Sequence, residues 1–240
     1  MILQDFNIND WDLICVLGPT ASGKTKLAVN LARTLGNCEI ISADSRQVYR
    51  RMDIGTGKDL ADYGEIPCHL IDIAEPGTQY NVYMFKEDFR RACDDIRSRG
   101  KFPILCGGTG LYINAVTRDY DFHEKVPLSA PRNGIARIYF IGISVDKPTR
   151  NARIDARLDS RLEEGMIDEV RSLLNEGVPE EVLISYGLEY KFVTLYLKGE
   201  LSYDEMRGRL AIAIHQFAKR QMTWFRGMMR SGVDIHWVEL

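Results

Sequence analysis

Residues 18–25 read Gly-Pro-Thr-Ala-Ser-Gly-Lys-Thr and match G-x-x-x-x-G-K-[ST], the pattern of a loop that wraps a phosphate group. Its chemistry follows from the residue types. Gly18 and Gly23 let the backbone curl until successive N–H groups point at one anion, and a helix starting there adds the positive end of its dipole. Lys24 contributes a full charge, and Thr25 a hydroxyl suited to Mg²⁺. Such a loop recognises phosphate without specifying whose phosphate it is. A second cluster, Ser42-Ala43-Asp44-Ser45-Arg46-Gln47-Val48-Tyr49, supplies a carboxylate that can hold Mg²⁺, accept a proton from a nucleophile, or cap a helix. Gly107-Gly108-Thr109-Gly110 is a third candidate, weak alone because a tight strand-to-helix turn needs small residues anyway.

Two basic stretches join these. RNARIDARLDSR places Arg150, Arg153, Arg157 and Arg161 on one side of a helix, where like charges repel by on the order of a few tenths of a kcal/mol per pair. Asp155 and Asp159 relieve part of that, and an anionic ligand would use the rest; a solvated charged face is the competing reading. Further on, AKRQMTWFR interleaves cations with aromatics, and Arg207, Arg209, Lys219, Arg220, Arg226 and Arg230 outweigh Asp204 and Glu205. Phosphate contact with base stacking suits that mixture, unless Phe217, Trp224 and Phe225 are core residues.

The elements that must hold these groups follow from the hydrophobic pattern. Leu13-Ile14-Cys15-Val16-Leu17 is a short continuous apolar run ended by Gly-Pro, as expected of a strand buried on both faces. KTKLAVNLARTLG is then a helix closed by Gly36, and CEIIS (38–42) a second strand. NVYMFKEDFRRACDDIRSRG carries a helical stripe from an Asn81 cap to Gly100, and FPILC (102–106) and IYFIGI (138–143) are further buried strands. Residues 147–230 are mostly helical, with a last helix from a Ser202–Glu205 capping box to Gly227 and a last strand over 233–238. Strands alternating with helices predict one α/β domain over residues 1–240, a parallel sheet covered by helices on both faces with a mostly helical C-terminal part. The three candidate loops then share the carboxyl edge of that sheet, where open α/β folds bind ligands.

Bulk properties narrow the classes. With 45% hydrophobic and 27% charged residues the chain reads as an ordinary globular domain, and a formal net charge of −3 excludes a globally basic nucleic-acid binder. No apolar run approaches the ~18–20 residues of a membrane span. The first residues lack the basic start and apolar core of a secretory signal, so a cytoplasmic protein is expected. The five cysteines form no CxxC pair and the four histidines are scattered, which argues against a disulfide framework or a zinc site.

Taken in order, GPTASGKT, ISADSRQVYRRMDIGTGK, HLIDIAEP, GKFPILCGGTGLYINAV, the arginine helix with EEGMIDEV, SYGLEYK and QFAKRQMTWFR resemble the tRNA dimethylallyltransferases (tRNA isopentenyltransferases) across nearly the whole chain. The SADSRQVY–MDIGT block is far more specific than the phosphate loop. The resemblance implies a P-loop NTPase-like fold. It further implies transfer of a dimethylallyl group from its diphosphate to N6 of an adenosine next to the anticodon of tRNA, with Mg²⁺ and release of diphosphate. Carried over by position, Asp44 would take the N6 proton, and Gly18, Ala21, Ser22, Gly23, Lys24 and Thr25 would hold the diphosphate. Arg153 or Arg157 would be the extra clamp, Thr20 would sit at the reacting end and Thr109 near the allylic diphosphate. Thr25 and Asp44 would be the metal ligands. Ser45, Arg46 and Gln47 would place the adenine; Gln216, Lys219, Arg220, Gln221 and Arg226 would meet the tRNA or support that edge. A monomer is expected.

The chain departs from the family pattern in one large way. Members usually carry a helical insertion that grips the anticodon stem-loop, whereas here residues 113–137 leave room only for a shortened loop, DYDFHEKVPLSAPRNG. GTGKD stands where GTAKP is common, and YNVYMF where a YSAADF-like run is common. The core transfer site is therefore expected intact, and tRNA recognition less complete. An isopentenyltransferase acting on free AMP, ADP or ATP, and a P-loop small-molecule kinase, are the rival readings.

Overall fold

Leu13–Leu17 forms β1, and its side chains alternate between two buried layers: Leu13, Cys15 and Leu17 enter one cluster, Ile14 and Val16 the other. This is the burial that the continuous apolar run predicts. In a computed structural model, which describes residues 6–118, 135 and 137–239, β1 lies inside a six-stranded all-parallel sheet. Its other strands are β2 (Cys38–Ser42), β3 (Cys68–His69), β4 (Phe102–Gly107), β5 (Ile138–Ser144) and β6 (Ile235–Glu239), in the order β3-β2-β4-β1-β5-β6. The two-residue β3 carries too little pattern to be read from sequence, and β6 begins two residues later than expected.

Helices α1 (Lys24–Leu35), α2 (Val82–Ser98) and α3 (Gly110–Thr117) connect the strands, with Asn81 capping α2 through its side chain as expected. α3 takes up residues 113–117 of the expected loop; of the remainder only Arg118, Ile135 and Arg137 are among the described residues. The C-terminal part is helical as read: α4 (Lys147–Glu163), α5 (Met166–Asn175), α6 (Glu180–Tyr186), α7 (Leu188–Leu197) and α8 (Tyr203–Arg230). α8 opens on the Ser202–Glu205 capping box but runs to Arg230 instead of stopping at Gly227, because a glycine inside a packed helix costs only about 1 kcal/mol. Its first half, with Met206, Leu210, Ile214 and Ala218, packs into a helical core; its second half, with Phe225 and Met228, packs against the sheet. α8 thus joins the two layers and passes the carboxyl edge of the sheet on the way. Among the described residues no helix is long and apolar enough to cross a membrane.

Asp155 and Asp159 of α4 have partners on another helix. They reach across to α8, where Asp155 lies 2.9 Å from His215 and Asp159 takes Arg207 in a two-point pair at 2.7 and 2.8 Å. The Arg207 pair ties α4 to α8, while Arg157 and Arg161 find their anion in Asp59.

Candidate active site

The phosphate loop curls because two of its residues adopt left-handed backbone: Ala21 at φ 58° and Gly23 at φ 88°. That is costly for a residue with a Cβ and marks a backbone held for a purpose. Alternating backbone of this kind makes a concave nest of N–H groups for an anion. Ser22 is 1% exposed and its Oγ has no hydrogen-bond partner among the described residues, an orphaned polar atom inside that nest. Gly18 is buried beneath the loop, off the cleft wall, where a Cβ would press on Ser22 Oγ at 2.7 Å.

Opposite the loop, the end of β2 and the GGTG turn are laced together. Thr109 N–H donates to Ala43 O (3.2 Å), and Ser45 N–H donates to Thr109 Oγ1 (3.1 Å). The glycines of the turn are there for close approach: an added Cβ would run into the Ala43 carbonyl at Gly107, the Gln221 amide at Gly108 and the Trp224 ring at Gly110. Gln221, 7% exposed, is the strut of this corner. Its Oε1 accepts from Thr20 N–H (2.8 Å) and its Nε2 donates to Gly108 O (2.9 Å). Both ends of its amide are therefore engaged inside the protein, as support for that edge requires.

These parts enclose a cleft of about 1040 Å³. Thr20, Ala21, Ser22, Gly23, Lys24 and Thr25 line one side; Asp44, Ser45, Arg46, Gln47 and Thr109 another; Arg153, Arg157, Arg220 and Gln221 complete it. The structure thus gathers most of the sequence-predicted site from five separate stretches. Gln216, Lys219 and Arg226 are exposed on α8 outside the cleft wall. Phe225 is core, whereas Phe217 and Trp224 are 38% and 41% exposed at the cleft, so the aromatics divide between the two readings. Gln47 is engaged inside the wall, accepting from Ser42 Oγ (2.9 Å) and donating to Gly57 O (3.0 Å), which leaves its amide holding a loop.

Asp44 Oδ1 accepts the Arg46 N–H at 2.9 Å, a local turn bond that fixes the carboxylate. Burial lowers the pKa of Lys24, Asp44 and Asp59 oppose that shift, and Arg157 adds to it. Arg157 is likewise lowered by burial and by Arg161 beside it. Two neighbouring guanidinium groups need an anion, and Asp59 serves both: its carboxylate lies 2.9 Å from Arg157 and 2.7 Å from Arg161. Glu189 also lines the cleft, its pKa raised chiefly by burial, with Arg157 opposing. Asp59 and Glu189 were not singled out from the sequence, since their partners lie about a hundred residues away (Asp59) or are met only through the fold (Glu189).

The residues fit a Mg²⁺-bound diphosphate. Magnesium keeps waters and substrate phosphates and takes only one or two protein groups, which the Thr25 hydroxyl and the Asp44 carboxylate on the cleft wall can supply. Among the described residues no three His, Cys, Asp or Glu side chains gather into an all-protein metal cage.

Fold and site together define a P-loop-type α/β protein whose cleft sets a polyphosphate cradle beside a carboxylate. Comparison with known proteins sharpens this. The family model described as IPP transferase matches residues 47–137 and 122–228, and one described as isopentenyl transferase matches 11–64. The tRNA dimethylallyltransferase 1 of Parabacteroides distasonis is 48% identical over 97% of this chain and 94% of its own length, and that of Porphyromonas gingivalis 47% over 95% and 93%. The structure of the tRNA isopentenylpyrophosphate transferase from Bacillus halodurans superposes with a TM-score of 0.83 at 30% identity, over 95% of this chain and 89% of that one. The chain belongs to the tRNA dimethylallyltransferase (IPP transferase) family. The Parabacteroides alignment runs over 288 residues against the 240 of this chain, so that relative carries residues with no counterpart here.

Proposed function

We propose that this protein transfers a dimethylallyl group from dimethylallyl diphosphate to N6 of an adenosine beside the anticodon of tRNA, releasing diphosphate, in the cytoplasm. The observation that carries it is the placement of Asp44, the phosphate loop and the Arg153–Arg157 face around one cleft. The loop amides, Lys24 and Arg157 would hold the diphosphate, and stabilising that leaving group is what lets the allylic C1–O bond break, its electron pair going to the diphosphate oxygen. Thr25, with Asp44 as the second candidate ligand, would hold magnesium, which when bound would supply positive charge against the same leaving group. The N6 amine forms the new bond to C1 and gives up a proton to Asp44, a positioned base that a weakly nucleophilic amine requires. An adenosine in a stem-loop reaches such a recessed carboxylate only when turned out of its stack, and Phe217 and Trp224 at the cleft offer faces for the exposed bases.

The length difference from the curated relatives favours one alternative acceptor, a free adenine nucleotide. Labelled dimethylallyl diphosphate offered with tRNA, with AMP, ADP or ATP, and alone separates the readings. Label in tRNA is the expected outcome, and label in the nucleotide replaces the acceptor. Label in neither, with ATP turned over, overturns prenyl transfer.

A further inference from the structure

Glu169 lies on α5, behind the cleft wall, and its carboxylate is fully engaged. Oε2 accepts from the N–H groups of Asp53 (2.6 Å) and Ile54 (2.7 Å); Oε1 accepts from Gly55 N–H (3.0 Å) and from the Tyr190 hydroxyl (2.6 Å). Three successive amides aimed at one carboxylate form an anion cradle like the phosphate loop, filled here by the protein's own anion. The Tyr190 ring closes over it so tightly that a Cβ on Gly55 would stand 2.9 Å from the ring carbons. From this anchor the chain runs into the cleft wall, where Gly57 and Asp59 carry Arg157: its Nη2 lies 3.4 Å from Gly57 O and 2.9 Å from Asp59. Arg161 binds Ile54 O and Asp59 from the same side. Gly57 stands at φ 67°, and a Cβ there would overlap the Arg157 guanidinium.

We infer that Glu169 is a positioning residue for the reaction: through the loop 53–59 it sets the Arg157 guanidinium where the leaving diphosphate is held. This rests on the proposed reading of the cleft. A guanidinium grips an anion through a rigid fork, so its orientation decides its strength, and displacements of about 1 Å are costly. Glu169→Gln tests the link, because it turns one acceptor into an N–H₂ group that faces backbone N–H groups. Affinity for inorganic pyrophosphate, measured by calorimetry, is compared among wild type, Glu169→Gln, Arg157→Lys and the double variant, with tRNA affinity measured alongside. Glu169→Gln is expected to weaken pyrophosphate about tenfold, to leave tRNA affinity unchanged, and to add nothing to Arg157→Lys. Should Glu169→Gln fail to fold, Tyr190→Phe removes a single donor and reads the same coupling more gently. Losses that multiply in the double variant, or an unchanged pyrophosphate affinity, overturn the inference. Pyrophosphate binding needs no acceptor, so a missing coupling and an absence of prenyl transfer are separate results.

Discussion

Asp44 is suited to proton acceptance because its fixing bond is cheap and local. One oxygen takes the amide two residues on, while the carboxylate still faces a cleft that also holds Lys24 and Arg157. Asp44→Asn keeps the shape and the turn but removes the capacity to take the N6 proton. Transfer to tRNA in single turnovers is expected to fall by about 10²-fold or more, with pyrophosphate affinity in the presence of Mg²⁺ retained. Loss of that affinity would instead assign Asp44 to the metal, and wild-type turnover would remove it from the chemistry. Glu189, which also lines the cleft, has its pKa raised chiefly by burial, with Arg157 opposing that shift.

Between elements, the decisive contact is the Gln221 strut, in which α8 holds the phosphate loop and the GGTG turn at a fixed separation. Gln221→Leu would leave Thr20 N–H and Gly108 O unpaired in a buried corner, costing about 1–3 kcal/mol. A lowered melting temperature and a loss of transfer should appear together in that variant; a stable, active protein would show that the strut is dispensable. What could be read from sequence and what could not divides along the same line. β1, β2, α1, the Asn81 cap and the Ser202 box were legible because each is a local pattern of a few residues. The cleft was legible because its loops follow buried strands. Glu169 with residues 53–55, Asp59 with the arginines, and Gln221 with Thr20 were not, because each joins residues roughly one to two hundred positions apart whose pairing exists only once the helices have packed. The arginine face itself was visible, but Asp155 and Asp159, expected to relieve part of its repulsion, also face Arg207 and His215 on α8, since spacing along a helix says nothing of a neighbouring helix that competes for them.

For the molecule as a whole, a formal net charge of −3 means that a polyanion must be drawn to one local surface against a mildly repulsive remainder. α8 offers that surface. Lys219 and Arg226 are exposed beyond the cleft wall, with Arg220, Phe217 and Trp224 at the cleft beside them. An anticodon stem-loop seated there would displace counterions at each cation it meets, whereas a free nucleotide held inside the cleft would not reach Lys219 or Arg226. Lys219→Ala and Arg226→Ala should each reduce the slope of log affinity against log salt for tRNA by about one and weaken binding evenly across tRNA sequences. Turnover at saturating tRNA should stay near wild type in both, because neither side chain lines the cleft. With a free adenine nucleotide as the competing ligand, neither substitution should change the salt dependence at all. A tRNA slope unmoved by both variants would take α8 out of tRNA binding and, with it, the physical basis for preferring a stem-loop over a nucleotide as the acceptor.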